Sequence, residues 1–267
     1  MQLICHQCQT QYNYPKICPS CGGHDLNSMF GGIEELAETI QKEYNYNVIR
    51  LDLNQESVVE SKVFVTTRVF DPGLNYSKFS NIVLLQADSL LCSADYLVSE
   101  DTHQALAQLF LSINPEAKIT FDTQDPESEF FAKLTKLNSN HEENISVMDW
   151  FSDFLSIETQ NRLKYQLPPT QNLALLTSQH KNQNRAMDNI KMAQQYLLPL
   201  IQSNGWKEVN ITPIYPAKFL RRKGFFAYHL VVKYPKHFTD YFQLQQTIKA
   251  VSSNYGLQVR LNPRHIF

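Results

Sequence analysis

The 267 residues carry 24 Lys and Arg against 26 Asp and Glu, a net charge of −2 with histidines neutral, and 43% of them are apolar. This composition excludes a disordered chain and allows roughly two folded domains plus a small appendage. No apolar run reaches the ~20 residues of a membrane-spanning helix, so no membrane partner is expected.

The near-neutral total hides a division at Pro169. Residues 1–169 hold 11 Lys and Arg against 23 Asp and Glu, a balance of −12, whereas residues 170–267 hold 13 against 3, a balance of +10. A field of that sign attracts polyanions, which makes nucleic acid the first candidate partner. The competing reading is that the basic half docks on the acidic one.

Four of the five cysteines fall in the first 21 residues as Cys5-x2-Cys8-x9-Cys18-x2-Cys21. Each Cys-x-x-Cys turn presents two thiolates to one ion, and two facing turns complete the tetrahedral sulfur shell of a structural zinc. The spacing predicts a zinc ribbon over residues 1–30 with one zinc on Cys5, Cys8, Cys18 and Cys21. Two disulfides or four free thiols are the alternatives. Nothing at the N-terminus reads as a secretory signal, so a cytoplasmic chain with reduced thiols is expected. His6 and His24 flank the knuckles as non-ligands, and Cys92 reads as a core residue.

Residues 31–126 read as an α/β lobe. Ile33, Leu36, Ala37, Ile40 and Tyr44 recur at helical spacing with glutamates between them. Strands follow at Asn47–Leu53, Lys62–Phe70, Asn81–Ala87 and Lys118–Asp122, with a helix at Ser99–Ile113. Alternating strands and helices predict a parallel sheet covered on both faces. Residues 127–169 read as a helical connector, interrupted at Asn138–Asn144 and ended by Pro168-Pro169, because proline removes a donor and restricts the residue before it.

The basic residues 170–267 follow the order strand Asn172–Thr177, helix Arg185–Gln202, strand Glu208–Pro213, strand Tyr228–Tyr234, helix Thr239–Asn254 and strand Leu257–Asn262. That βαββαβ rhythm predicts a ferredoxin-like α+β domain. The fold class is therefore multidomain, α/β joined to α+β, with a zinc ribbon in front. The long central connection Tyr215–Phe226 is basic and aromatic. Its Lys218, Arg221, Arg222 and Lys223 can neutralise phosphates, and Phe219, Phe225, Phe226 and Tyr228 could stack on unpaired bases. Lys233 is expected to add a phosphate contact, and Arg185 and Lys191 to extend the patch.

Catalytic signatures are missing. No G-x-x-x-x-G-K-[ST] loop and no G-x-S-x-G elbow occurs, and no carboxylate pair stands out as acid/base machinery.

The order of parts resembles the C-terminal half of the primosomal protein N′ family of bacterial replication-restart helicases. Cys18-Pro19-Ser20-Cys21-Gly22 is similar to the end of the family's ribbon, and Phe30-Gly31-Gly32-Ile33-Glu34 to its helix start. Leu85-Gln86-Ala87-Asp88 resembles the Leu-Asp-Ala-Asp of the second motor lobe. Pro168-Pro169 followed by Leu173-Ala174-Leu175-Leu176 resembles the entry to the final domain, and Asn262-Pro263 ending at Phe267 resembles its close.

The resemblance implies a zinc ribbon, a RecA-like second helicase lobe and a C-terminal DNA-binding domain, with single-stranded or forked DNA and primosome proteins as partners. The family's phosphate loop has no counterpart here. Pro72 stands where its lysine belongs in the stretch Thr66–Tyr76, and Ser112 and Pro115 replace the arginines that reach the γ-phosphate in the stretch Gln108–Pro115. Stabilising a transferring phosphoryl group depends on such cations, so the resemblance implies a degenerate lobe, no catalytic residues and no bound ATP. The family's second set of four cysteines is absent as well. Three functions are open: a DNA-binding relative without ATPase activity, one half of a split helicase completed by a separate chain, or a protein-binding adaptor.

Overall fold

The computed structural model describes residues 2–4, 11–13, 17, 32–51, 63–91, 95–137 and 145–266. Two short strands open the chain. β1 (Gln2–Ile4) pairs antiparallel with β2 (Gln11–Asn13), Leu3 opposite Tyr12. Cys5 and Cys8 fall between these arms in sequence. They, with Cys18, Cys21 and Cys92, lie outside the described residues.

In the acidic part, α1 (Ile33–Tyr44) is followed by β3 (Val48–Leu51) and β4 (Val63–Thr66), which pair in parallel. Farther on, β5 (Asn81–Leu84) and β6 (Lys118–Phe121) form a second parallel pair, with α2 (Val98–Ser112) between them in the chain. The parallel sense matches the sequence reading, but the continuous sheet does not: the described strands form two separate two-stranded sheets. Between β4 and β5 the chain makes a loop and a short 3₁₀ turn at Tyr76–Lys78 in place of a crossover helix. Its aromatics turn inward, with Tyr76 stacked 5.1 Å from Phe70.

The segment read as a connector shares the core of this lobe. It contains α3 (Glu129–Lys136) and α4 (Val147–Lys164). Phe131, Leu134 and Leu137 and, from α4, Trp150 are buried with Leu106, Leu109 and Phe110 of α2. Ser146 caps α4 by accepting from the amides of Met148 and Asp149, satisfying donors that a helix start leaves free. His103 of α2 is clamped between α4 aromatics, its ring 3.6 Å from that of Phe154.

The C-terminal part is an antiparallel sheet with two helices on one face. β7 (Gln171–His180), α5 (Gln183–Ser203), β8 (Asn210–Ile211), β9 (Tyr215–Arg222), β10 (Phe225–Pro235), α6 (Tyr241–Tyr255) and β11 (Gln258–Leu261) follow one another. The strand order is β11-β7-β10-β8, and β9 lies on the same β10. The βαββαβ rhythm thus gains one strand, because the connection read as a long loop is itself β9. One sheet face presents Ala174, Leu176, Leu230 and Val232 to Ile190, Leu197, Leu244 and Ile248 of the helices, all fully or almost fully buried.

The second sheet face carries Leu173, Leu175 and Val231, covered by Tyr96 of the acidic lobe, by Tyr215 and by Ile266. The tail is tied down as it crosses this face. Tyr96 donates its hydroxyl to the Pro263 carbonyl at 3.0 Å, Arg264 pairs with Asp101 at 2.5 Å, and His265 meets Asp95 at 2.9 Å. Part of the opposite charge of the two halves is therefore spent on docking one on the other through the tail. Among the described residues no helix is long and apolar enough to cross a membrane.

On that second face His229 is buried, its Nδ1 2.9 Å from the Thr177 hydroxyl. Burial, helped by nearby Arg260, pushes its pKa down from the ordinary 6.5 to about 4. The folded chain holds this imidazole neutral where the unfolded chain would protonate it. The contribution of His229 to stability is therefore fully present above pH ~6.5 and is lost as pH drops toward ~4, by up to about 3 kcal/mol. Urea unfolding at pH 7 and pH 4.5 should show this loss in the wild type and a shallower one in His229→Gln.

Candidate nucleic-acid interface

β9 and β10 form a hairpin closed by Lys223 and Gly224. Arg222 stands opposite Phe225 and Arg221 opposite Phe226. Both turn residues have positive φ, 49° and 83°, the signature of a two-residue turn whose twist matches its strands. Gly224 takes that conformation without cost, and Lys223 accepts it at the exposed tip.

The neighbouring strand brings further cations to the same end. β7 ends with His180 opposite Phe226, so the next residue, Lys181, flanks Phe225, with its Nζ 5.8 Å from the ring centroid. The chain then turns directly into α5. Asn182 accepts from the Arg185 amide as helix cap, and its own amide donates to His180 Nδ1. Arg185 therefore sits in the first turn of a helix whose positive dipole end points the same way. Across β7, β10 and β9 the row spans two strand spacings, about 10 Å.

Lys181, Arg185, Arg221, Arg222 and Lys223 are all exposed. Among the described residues no carboxylate pairs with any of them. The local carboxylate supply is thin, since residues 170–267 contain only Asp188, Glu208 and Asp240. Arg221 lies over Phe226, its guanidinium carbon 5.3 Å from the ring centroid. The two half-buried phenylalanines thus act as bases for cations and hold the charges outward at little entropic cost.

Other residues read as contacts are placed differently. Tyr228 is buried among core side chains, with its hydroxyl accepting from Gln183 Nε2 at 2.9 Å, so its ring faces offer no platform for a base. Strand alternation decides this, because position 228 shares the helix-covered face with Leu230. Lys233 is half-buried and donates to the Tyr165 carbonyl at 2.8 Å, its pKa lowered by burial. It fastens the end of α4 to the sheet instead of reaching outward. Lys191 is exposed on α5, six residues past Arg185, which puts it about 9 Å farther along and a third of a turn around the helix. Lys218 is exposed farther down β9, beyond the point where regular pairing with β10 lapses.

The stretches that the resemblance aligns with the family's motor motifs have the following places. Pro72 is in the loop after β4, where the Asp71 carboxylate accepts from the Gly73 amide at 2.9 Å and the Asp71 amide donates to the Tyr76 hydroxyl. Ser112 ends α2, with Pro115 three residues beyond. Asp88 accepts from the Thr123 hydroxyl at 2.6 Å and the Gln124 amide at 2.9 Å, bonds that hold its pKa below the usual carboxylate value. Among the described residues no three His, Cys, Asp or Glu side chains converge as a metal site.

No protein-family model matches the chain. It is similar to the replication restart protein PriA of Synechocystis sp., 24% identical over 284 residues that cover 99% of this chain and 32% of the relative. PriA of Haemophilus influenzae is 23% identical over 89% of the chain, and that of Bacillus subtilis 22% over 97%. The chain spans about a third of the length of these curated relatives.

Proposed function

We propose that this chain is a DNA-binding, PriA-like component of replication restart, equivalent to the C-terminal part of its relatives, that grips single-stranded or forked DNA through its C-terminal domain. The observation that carries this is the row of exposed cations Lys181, Arg185, Arg221, Arg222 and Lys223 at one end of the sheet, none of which pairs with a carboxylate among the described residues. Cations that no carboxylate neutralises can instead neutralise phosphates and release their counterions. Titrating labelled single-stranded and forked DNA with the protein between 50 and 300 mM salt tests it. Five phosphate contacts on a single strand give a slope of about −3.5 in log affinity against log salt, and a slope near zero refutes the reading.

In this reading the chain alone has no ATPase activity, because Pro72, Ser112 and Pro115 occupy positions where the resemblance calls for cations. Primosome proteins are its natural neighbours, and a cytoplasmic setting follows.

The N-terminal thiols form a ribbon that holds one zinc through Cys5, Cys8, Cys18 and Cys21. The pairing of β1 with β2, which brackets Cys5 and Cys8, supports this. Four thiolates satisfy the ion completely and give it a structural role. Metal analysis is expected to find one zinc per chain and clearly less in Cys18→Ser, which leaves a three-ligand shell. A second reading, completion by a separate chain, is favoured by the separation of the two parallel strand pairs among the described residues.

A further inference from the structure

We infer that the second sheet face, where it runs on from the tail toward the hairpin, holds unpaired bases of a single DNA strand, with Phe225 as their stacking platform. The inference rests on the DNA-binding reading and deepens it, adding to the phosphate grip a surface that tells single strand from duplex. Strand alternation defines this face. Odd-numbered residues of β7 and β10 point away from the helices, as Leu173, Leu175 and Val231 do at the end covered by Tyr96, Tyr215 and Ile266. Thr177 opposite His229 is the last buried pair. Beyond it the face opens, with exposed Gln179 opposite half-buried Ala227, and then Phe225 with Arg222 opposite it on β9. Val259 of β11 lies opposite Leu176 and packs on the helix side, so its neighbours Gln258 and Arg260, both exposed, belong to the second face.

Charge and continuity specify the occupant. Lys181, Arg222 and Arg260 make this face positive, and the three carboxylates of residues 170–267 are elsewhere: Asp188 is on α5, Asp240 caps α6 and Glu208 is in the turn after α5. The face also runs without a break into the row of cations at the hairpin, so a strand gripped there continues onto it. Phe226 packs in the core under the helices, whereas Phe225 belongs to none of the apolar clusters among the described residues. Its ring is therefore at the sheet surface, beside Lys181, whose ammonium can meet the phosphate of a base lying on it. Gln179 and Gln258 offer amide donors and acceptors to base edges. Bases in a duplex are stacked on both sides by their neighbours, so only an unpaired one can lie flat on the ring.

The test titrates the full chain with labelled oligothymidylate of about twelve nucleotides, within the usual range of single-strand sites, and with a blunt duplex of similar length, across the same salt range. Phe225→Leu should lower single-strand affinity by about tenfold or more while leaving duplex affinity and the salt slope as in wild type, because a ring is lost and no charge. Phe225→Trp should restore the affinity, and Arg260→Gln should flatten the single-strand slope by about 0.7. Photocrosslinking of wild type to the same strand carrying 5-iodouracil should label Phe225 or its neighbours on the second face, a readout that needs no variant to fold. The inference is overturned if Phe225→Leu binds both DNAs as wild type does or weakens both equally, if Phe225→Trp binds no better than Phe225→Leu, or if every crosslink falls outside this face. A wild-type salt slope near zero removes the DNA-binding reading together with this inference, whereas a steep slope with unchanged Phe225→Leu affinity removes this inference alone.

Discussion

Reversing both hairpin arginines, Arg221→Glu and Arg222→Glu, should weaken DNA binding by about ten- to a hundredfold at 100 mM salt and flatten the salt slope by about two units. Both side chains are exposed, and neither belongs to an ion pair among the described residues, so the fold loses only the Arg221–Phe226 contact. Far-ultraviolet dichroism and the unfolding midpoint should stay close to wild type. The same reversal at Lys233 should behave in the opposite way. That side chain is half-buried and bonded to Tyr165, so Lys233→Glu lowers stability while changing the salt slope little. A phosphate grip spread evenly over the +10 domain would treat all three positions alike, and the contrast between them separates a local site from a diffuse field.

How far the sequence could be read depended on whether a feature was local. Apolar spacing located α1, α2, α5 and α6 and the cores of β3 to β7 to within a few residues, because periodicity is written along one segment. β9 escaped notice because it carries Lys218, Arg221, Arg222 and Pro216, residues that discourage a strand reading yet suit a strand at a sheet margin. Lys181 went unrecognised for another reason. Only the register of β7 on β10, fixed across some 45 residues of chain, sets it beside Phe225. The same non-local register turned Tyr228 inward and Lys233 toward α4. In the acidic lobe the strands were legible but their partners were not, since an apolar run says that a strand is buried without saying against what.

The largest loss of stability is expected from Arg162→Ala. Arg162 lies on α4 with a side chain only 10% exposed, and its guanidinium reaches Glu100 of α2 at 2.6 Å and Glu158 of its own helix at 2.8 Å. It also sits over the Tyr96 ring, 5.7 Å from the centroid, and Tyr96 is the side chain that packs on the C-terminal sheet and holds the Pro263 carbonyl. Removing the guanidinium leaves two carboxylates in a partly dry site with no cation. A fully buried pair broken this way costs about 3–5 kcal/mol, and because Glu100 is one-third exposed the cost here should be nearer 2–4 kcal/mol. Urea unfolding followed by Trp150, which is in the same lobe core, reads it directly. Combining Arg162→Ala with Glu100→Gln and Glu158→Gln should return part of the loss, since the penalty comes from stranded charge; strictly additive losses would refute the assignment. Arg162→Lys should recover only a fraction, because an ammonium lacks the planar fork that meets both carboxylates at once. The hairpin cations lie on another part of the molecule, so the Arg162→Ala chain, while still folded, should bind DNA with the wild-type salt slope.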